Sequence, residues 1–460
     1  MAETPNTRAN RPSFGAGMRS SSYVQELSPN TSITPSPPLK PYNGVPSPHS
    51  PPKIVDSGLN HTLTHTNCQP PPGTASDRVI ATILYKNASP RIFPAPPIDR
   101  SPSPSRMNTP GTIPPNMAPT RSLSNFPLEP PPPDPEPLDH LYGSYISPLC
   151  LTSFLHLIAS LPCPPGSQTL TSSHRCLDNP EHPCIVELTF PAPDATYLTL
   201  ADLRKHELLY RFEREWNVDV VLQADTVLRR YPQLVVFDMD STLIEQEVID
   251  LLAASINVQD AVSAITSRSM NGELDFSSSF RARVKLLRGV DADIFSKLQS
   301  VITPTKGARE LIRALKRIGC KTAVLSGGFI PLTQYLADSL GIDYAYANSL
   351  VSDPATNTFT GEVSGSIVNA ERKRELLLEI AEKENVHIDQ VVAVGDGAND
   401  LLMMGAAGLG VAWNAKPVVQ MEAQARLNGS SLLELLFIFG FTAEELGWAG
   451  LGWARRYLIE

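Results

Sequence analysis

Closely spaced carboxylates in two segments of the chain are its strongest indication of chemistry. In the first segment, Asp238 and Asp240 directly follow the apolar run Leu234–Phe237, and Thr242 comes two residues later. Side chains two residues apart at the end of an extended strand lie on one face. Two carboxylates held that close repel each other and raise one pKa unless a cation or a proton intervenes. The spacing therefore indicates a divalent metal ion, general acid–base chemistry, or both.

A second acidic segment has the same organisation. Residues 391–394 are apolar, and Asp396 and Asp400 follow them in a loop that contains glycine. If the two apolar runs are neighbouring parallel strands, their carboxyl ends converge on one site. Asp396 would then face Asp238 and complete a set of hard oxygen ligands of the kind that Mg²⁺ prefers.

Two further groups suit a phosphate ligand. Ser326 and the two glycines after it follow another predicted strand, and a hydroxyl with backbone amides at such a turn can hold a phosphate oxygen. Lys373, at a predicted helix start, can neutralise a second oxygen. Taken alone, each is usually a turn or an exposed helix face. Because all of them follow a predicted strand or begin a helix, their order along the chain favours a single active site.

From Tyr231 onward, strands and helices alternate, which predicts a parallel α/β sheet. Residues 248–300, between the first and second strands of this sheet, are predicted to be helical and to form a cap over the site. The predicted strands are 234–237, 322–325, 344–347, 390–394 and 409–413; the predicted helices are 308–318, 332–340 and 373–383; and 359–368 is predicted to be a hairpin.

The residues before Tyr231 have a different composition. Of the 44 prolines, 31 lie in the first 140 residues, and residues 1–76 are predicted to be disordered. Residues 77–230 predict a ferredoxin-like β-α-β-β-α-β unit with a proline-rich insertion at about 88–140. Its predicted strands are 78–85, 168–172, 184–190 and 218–222, and its predicted helices are 149–161 and 200–216.

Charge and composition exclude several functions. A net charge of -9 argues against a nucleic-acid-binding protein, since phosphate backbones are bound by clustered Lys and Arg. No secretory signal is visible, and the apolar stretch 432–441 is too short to span a membrane. The six cysteines are scattered and predict no disulfide framework. These features indicate a cytoplasmic protein that binds neither nucleic acid nor membrane.

The motifs together resemble a known family. Asp238–Thr242, Ser326–Gly328, Lys373 and Gly395–Asp400 are similar to the four motifs of the haloacid dehalogenase superfamily. The segments 270–276 and 281–284 extend the resemblance to the phosphoserine phosphatases, and the whole match runs from Tyr231 to about Glu445. It implies a Rossmann-like core in residues 231–460, a small helical cap, a preceding ACT-type regulatory domain, and hydrolysis of O-phospho-L-serine, the last step of L-serine biosynthesis.

The resemblance also implies a role for each matching residue. Asp238 would be the nucleophile and Asp240 the general acid and base. Mg²⁺ would be held by Asp238, Asp396 and the backbone carbonyl of Asp240. The residues implied to bind substrate are Ser326, Gly327, Lys373 and Asn399 around the phosphoryl group, Glu247 at the ammonium, Arg283 at the carboxylate, and Met270 and Phe276 in the lid.

Several alternatives stay open from the sequence. Arg281 or Arg288 could replace Arg283, because helix register is not fixed by sequence. The motifs also suit a phosphotransferase or a phosphatase for another small amine phosphate. A scaffold protein with an inactive phosphatase remnant is disfavoured by the intact acidic motifs. A homodimer, SH3 or WW contacts of the proline-rich segment, and a zinc site at the His-x-Cys pairs 174–176 and 182–184 are weaker hypotheses.

Overall fold

A computed structural model of the protein describes residues 78–86, 138–162, 172–270 and 273–448. These residues form two β-sheets, one of four strands and one of seven. The chain passes from the first sheet to the second between Ala224 and Leu234. The disorder predicted for 1–76 lies outside the described residues, as does most of the proline-rich insertion predicted at 88–140.

The first sheet is antiparallel, with strand order β2-β3-β1-β4. Along the chain its elements follow one another as strand, helices, two strands, helices and strand. They are β1 (Arg78–Tyr85), α1 (Asp139–Tyr142), α2 (Pro148–Ala159), β2 (Ser173–Cys176), β3 (Ile185–Pro191), α3 (Leu200–Arg204), α4 (Glu207–Trp216) and β4 (Val218–Ala224).

Both faces of this sheet are buried. Along β1, Val79, Ala81 and Ile83 belong to the core shared with α2 and α4. Leu84 points the other way and belongs to the main core of the second sheet. Alternate side chains of a strand reach opposite faces, so this run of β-branched and apolar residues serves two apolar layers. The first sheet therefore lies between its own helices and the second sheet.

The second sheet has the order β11-β10-β9-β5-β6-β7-β8, and all neighbours are parallel except the antiparallel pair β7 and β8. This confirms the predicted parallel α/β core. Its strands and the helices that follow them are β5 (Leu234–Phe237), β6 (Lys321–Phe329), α10 (Ile330–Leu340), β7 (Tyr344–Asp353), β8 (Thr358–Ser364), α11 (Ala370–Lys383), β9 (Val391–Gly395), α12 (Leu401–Ala406), β10 (Leu409–Trp413), α13 (Pro417–Glu422), β11 (Ala425–Leu427), α14 (Glu434–Ile438) and α15 (Ala443–Trp448).

Helices connect β5 to β6, and most of them fall in the segment predicted to form a cap. They are α5 (Val248–Ser255), α6 (Gln259–Met270), α7 (Phe276–Lys285), α8 (Ile294–Leu298) and α9 (Ala308–Arg317). Aromatic rings join the cap to the sheet: Phe280 of α7 and Phe295 of α8 pack on Phe329 at the end of β6, with ring centroids 5.7 and 5.4 Å away. The cap is therefore held against the carboxyl end of β6.

Four details of the elements differ from the sequence-based expectations. The helix predicted at 200–216 is two helices, because the ring of His206 accepts a hydrogen bond from the backbone of Leu208 and begins α4 there. The hairpin predicted within 359–368 is wrong, since β8 pairs instead with β7. The second strand of the first sheet begins at Ser173, after the predicted 168–172. Strand β11, only three residues long, was not predicted, because so short a strand has no periodic signal.

Candidate active site

The two acidic segments meet at the carboxyl edge of the second sheet. Strands β5 and β9 pair in parallel with Phe237 beside Val394, so the residues that follow both strands emerge together. The backbone N–H of Asp238 donates to the carbonyl of Val394 at 2.9 Å. Asp238 and Asp396 therefore lie side by side, as the sequence predicted for neighbouring parallel strands.

Lys373 lies at the centre of the site and has no solvent exposure. Its Nζ donates to Oδ1 of Asp238 at 2.6 Å and to Oδ1 of Asp400 at 2.7 Å. Burial alone would lower the pKa of Lys373, but the two carboxylates outweigh burial and raise it. The ammonium is thus kept charged beside the residue predicted to be the nucleophile. Helix α11 positions it, beginning after Asn369, whose side chain caps the helix.

The oxygens of Asp238, Asp396 and Asp400 lie within 4.8 Å of one another. Burial, followed by the neighbouring carboxylates, raises the pKa of Asp396 to about 8 and that of Asp400 to about 7. Both oxygens of Asp400 already accept hydrogen bonds, from Lys373 and from the backbone of Gly397. The carboxylates of Asp238 and Asp396 are therefore better placed to ligate a cation. These crowded oxygens fit Mg²⁺, which binds hard oxygen ligands and would relieve their repulsion.

Asp240 lies in the turn Met239–Leu243 that follows β5. Its Oδ1 is buried and accepts no hydrogen bond from the described residues. Burial first, then the charges of Glu247 and Asp238, raise its pKa well above the usual range for an aspartate. A carboxyl group in this environment favours its protonated form, which a general acid requires.

The Ser-Gly-Gly segment is a bulge near the end of β6. Ser326 is 1% exposed, and its Oγ accepts a hydrogen bond from the backbone N–H of Gly328 at 2.9 Å. A Cβ atom on Gly327 would lie 3.2 Å from the ring of Phe276 in the cap. Phe276 of the cap therefore lies against the glycine predicted to hold phosphate.

Glu247 and Arg283 lie on the cap side of the site. Glu247 Oε1 accepts a hydrogen bond from the hydroxyl of Ser241 at 2.9 Å. Arg283 is partly buried, its Nε has no hydrogen-bond partner among the described residues, and burial lowers its pKa. The carboxylates that act on its charge are Glu247, Asp250 and Asp240. Its guanidinium thus faces the site.

The remaining residues that the sequence suggested for the site lie on the cap and in the loop after β9. Arg281 and Arg288, the alternatives to Arg283, are both exposed. Asn399 is in the turn after Asp396, where its Oδ1 would collide with any Cβ on Gly397. Met270 ends α6, but its side chain is outside the described part of the chain.

The His-x-Cys pairs do not form a metal site. In the described chain, the only group of three or more potential metal ligands is the aspartate cluster. Cys176 donates instead to Asp178, and the Sγ of Cys184 lies 3.4 Å from Nδ1 of His182. The zinc hypothesis at these pairs therefore lacks structural support.

Two residues of the site were not assigned a role from the sequence. Thr242 donates to Oδ1 of Asp396 at 3.3 Å, and its place four residues after Asp238 could have indicated this. Asn348 of β7 contacts the Ser-Gly-Gly bulge and has no local signal, because its partners are about twenty residues away.

Comparisons with known proteins agree with this geometry. The family model of haloacid dehalogenase-like hydrolases matches residues 232–408. The chain is 44% identical to phosphoserine phosphatase of Saccharomyces cerevisiae over 243 residues, which are 53% of this chain and 78% of that protein. It is also 44% identical to a probable phosphoserine phosphatase of Schizosaccharomyces pombe over 229 residues, 50% of this chain and 77% of that protein.

A solved structure is similar over a larger share of the chain. A HAD family hydrolase from Salmonella enterica subsp. enterica serovar Typhi is 30% identical with a TM-score of 0.53, and the match covers 63% of this chain and 93% of that one. Separately, none of the helices in the described ranges is long and apolar enough to cross a membrane.

Proposed function

This chain belongs to the phosphoserine phosphatases of the haloacid dehalogenase-like hydrolase family, and we propose that it hydrolyses O-phospho-L-serine to L-serine and phosphate. The observation that carries the proposal is the buried Lys373, which bonds to both Asp238 and Asp400 where β5 and β9 end. A cation fixed beside a carboxylate nucleophile lets that carboxylate approach a dianionic phosphoryl group.

The first chemical step is attack by the Asp238 carboxylate on phosphorus. An aspartyl–phosphate bond forms, and the bond between phosphorus and the seryl oxygen breaks. The electron pair stays with the seryl oxygen, which takes the proton from Asp240. The raised pKa of Asp240 keeps that proton available before the step.

The second step hydrolyses the intermediate. Asp240, now a carboxylate, takes a proton from water, whose oxygen attacks phosphorus. The bond between phosphorus and Asp238 breaks, and phosphate leaves with the nucleophile restored. When bound to Asp238, Asp396 and the carbonyl of Asp240, Mg²⁺ would supply positive charge to the phosphoryl oxygens. Ser326, Gly327 and Lys373 hold the same oxygens in this proposal, with Asn399 close by.

The cap supplies recognition of the amino acid. We assign Glu247 to the substrate ammonium and Arg283 to its carboxylate, because both side chains approach the site from the cap and have opposite charges. Phosphoethanolamine has the ammonium without the carboxylate, so it would engage Glu247 alone. This predicts a preference for O-phospho-L-serine that depends on Arg283.

We also propose that residues 77–230 are an ACT-type regulatory domain. The β-α-β-β-α-β order of its elements supports the ferredoxin-like classification. Leu84, Ile185 and Val221 of the first sheet are buried in the core of the second sheet and its helices, residues 234–448, which we call the catalytic unit. This packing supports a role in which the two move together. A serine-binding role would be tested by calorimetric titration of the full chain with L-serine.

The proposed function is tested by phosphate release from O-phospho-L-serine. The full chain is assayed with Mg²⁺ and after chelation, and beside it Asp238→Asn, which keeps the shape of the side chain. We expect the variant to lose activity by roughly 10³-fold or more while keeping its unfolding transition. Undiminished turnover in Asp238→Asn would remove the nucleophile from the mechanism.

A second comparison tests the substrate. Hydrolysis of O-phospho-L-serine and phosphoethanolamine is measured with the same enzyme, together with the yield of free phosphate when homoserine is added as an acceptor. Equal efficiency on both esters would contradict the serine assignment. Transfer of phosphate to the acceptor in place of release would identify a phosphotransferase.

A further inference from the structure

The Ser-Gly-Gly segment leaves the regular ladder between β6 and β7. Leu325 pairs with Tyr346, and the next pair is Phe329 with Asn348. Three residues of β6 therefore stand opposite a single residue of β7. A bulge of this kind turns peptide groups away from the sheet and towards a site.

The side chain of Asn348 closes this bulge from the β7 side. It is 1% exposed, and its Nδ2 donates to the carbonyls of Gly327 and Gly328 at 2.9 and 3.1 Å. A trans peptide group directs its C=O and N–H to opposite sides. With the carbonyl of Gly327 held by Asn348, the N–H of Gly328 points the other way, where it donates to Oγ of Ser326.

This contact occupies one acceptor position of the Ser326 hydroxyl. Because Ser326 Oγ accepts from Gly328, its own O–H is left to donate elsewhere. The Asn348 amide thus orients the Gly327–Gly328 peptide, and that peptide orients the hydroxyl assigned to phosphate. Replacing the amide by a group without N–H donors would remove this hydrogen bond from the buried carbonyl of Gly328 and from the partly buried carbonyl of Gly327.

The same side chain also reaches the helix that carries Lys373. Asn348 Oδ1 accepts a hydrogen bond from the backbone N–H of Val368 at 2.8 Å. Val368 precedes Asn369, the residue that caps α11, and the N–H of Lys373 donates to the carbonyl of Asn369. One buried amide therefore links the hydroxyl and the ammonium that approach the phosphoryl group from different elements.

We propose that Asn348 is a positioning residue for phosphoryl transfer, acting through Ser326 and through the start of α11. The inference rests on the proposed function, because it takes these groups to bind phosphate. The role needs two N–H donors and one acceptor on a short side chain, which only asparagine supplies. Aspartate has the shape without the N–H donors, leucine has a similar branched shape but no donor or acceptor, and serine retains a single hydroxyl.

The test compares Asn348→Asp, Asn348→Leu and Asn348→Ser with the wild-type full chain. The measurements are kcat and KM for O-phospho-L-serine, the affinity for inorganic phosphate by calorimetry with Mg²⁺, and urea unfolding. We expect kcat per folded molecule to fall about 10- to 100-fold in the Asp and Leu variants, since small displacements of positioning groups have effects of this size. We expect phosphate affinity to decrease together with kcat. Both values for the Ser variant should lie between those of the wild type and those of the Asp and Leu variants.

Thr322→Val is the matched control. Thr322 is on β6, fully buried, and its hydroxyl donates to Asp343 just before β7, at the opposite end of the same strand pair. Its replacement removes buried hydrogen bonds between the same two strands, so the midpoint of unfolding should shift to a lower urea concentration. We expect kcat and phosphate affinity to stay within about twofold of wild type, because the bulge is untouched.

A pH profile separates positioning from structural loss. When protonated, the carboxyl of Asn348→Asp regains one donor, so its activity relative to wild type should rise as the pH falls from 8 to 5.5. Asn348→Leu should show no such recovery. The inference would be overturned if the Asn348 variants kept wild-type kcat and phosphate affinity. It would also be overturned if, at equal stability, their losses in kcat and phosphate affinity were no larger than those of Thr322→Val.

The readouts also distinguish this inference from the proposed function. Absence of O-phospho-L-serine turnover by the wild-type chain would contradict the function alone. The dependence of phosphate affinity on Asn348 would still be measured directly. If all three variants fail to fold while Thr322→Val folds, Asn348 is a residue of stability and the positioning role is rejected.

Discussion

Glu247 differs from the other acidic residues of the site because its side chain is exposed to solvent. Asp238 and Asp400 accept hydrogen bonds from Lys373, whereas Glu247 accepts one from the Ser241 hydroxyl. It directly precedes α5, the first helix of the cap. A carboxylate that lies at the start of the cap and outside the Lys373 hydrogen bonds is suited to a charged part of the substrate away from phosphorus.

Glu247→Gln tests whether Glu247 binds the substrate ammonium and takes no part in the chemistry at phosphorus. We expect KM for O-phospho-L-serine to rise roughly 10- to 100-fold, the usual effect of removing a charge-assisted hydrogen bond. Hydrolysis of p-nitrophenyl phosphate, which has no ammonium, should change by less than about twofold. Glu245→Gln, an exposed neighbour in the same segment, should leave both substrates unaffected. Equal losses on both substrates would place Glu247 in the phosphoryl chemistry.

At the scale of the elements, the loop from β9 to α12 is closely packed around two glycines, Gly395 and Gly397. A Cβ atom on Gly395 would lie 2.5 Å from Cγ of Asp400, a distance that real structures do not permit. The loop therefore turns closely enough to press Asp400 against Lys373 only because residue 395 has no side chain.

Gly395→Ala should displace Asp400 and break its contact with Lys373. We expect kcat to fall by at least about tenfold, because the ammonium would lose one of its two positioning carboxylates. Gly405→Ala in the adjoining α12 is the control, since a Cβ there meets nothing within 4 Å. Alanine in a helix should leave activity unchanged and add roughly 0.5–1 kcal/mol of stability. Wild-type kcat in Gly395→Ala would show that the loop can relax.

The elements also show what the sequence could predict. The strands that precede Asp238 and Asp396 were predictable, because an apolar run followed by polar residues is a local pattern. The bond between Lys373 and Asp400, and the contacts of Asn348, depend on how separate strands and helices pack. The break at His206 depends on one capping hydrogen bond, which periodicity does not reveal. Local patterns thus predicted the strands that precede the candidate site residues, whereas the contacts that hold these residues together depend on long-range packing.

In the whole molecule, the first sheet is attached to the catalytic unit by buried polar contacts as well as by apolar packing. Arg229 donates to Glu187 at 2.6 Å and to the carbonyl of Ile438 at 2.9 Å. Asp219 of β4 accepts hydrogen bonds from both the backbone and the side chain of Asn428. Directional bonds of this kind specify one orientation of the two units, which apolar packing alone does less strictly.

Arg426 is the clearest case of such a contact. It lies on β11 and donates to Glu213 of α4 at 2.7 Å, with side chains 8% and 5% exposed. Its guanidinium also stacks on the ring of Tyr210, 4.1 Å from the centroid. Burial, the largest influence, outweighs the attraction of Arg426 and raises the pKa of Glu213 to about 7. The carboxylate is therefore already costly to bury with its partner present.

Arg426→Met would leave the buried Glu213 without its ion-pair partner, and we expect it to lower the free energy of unfolding by about 3 kcal/mol at pH 8. The loss should depend on pH. Without Arg426 the folded-state pKa of Glu213 rises further. The protonated Glu213 therefore contributes stability below the unfolded-state pKa, and this contribution is lost as the pH rises through the folded-state pKa. The deficit relative to wild type should therefore be smallest near pH 5 and largest near pH 8, as measured by urea unfolding.

Lys205→Met provides the comparison for this prediction, because Lys205 also bridges the two units, to Glu422, but with both side chains about half exposed. An exposed ion pair contributes at most about 1 kcal/mol, and solvent screens it at every pH, so this variant should show a small and nearly constant deficit. Parallel pH profiles for Arg426→Met and Lys205→Met would contradict the assignment of Glu213 as the titrating group. Divergent profiles would show that the attachment of the first sheet depends on a buried charge pair.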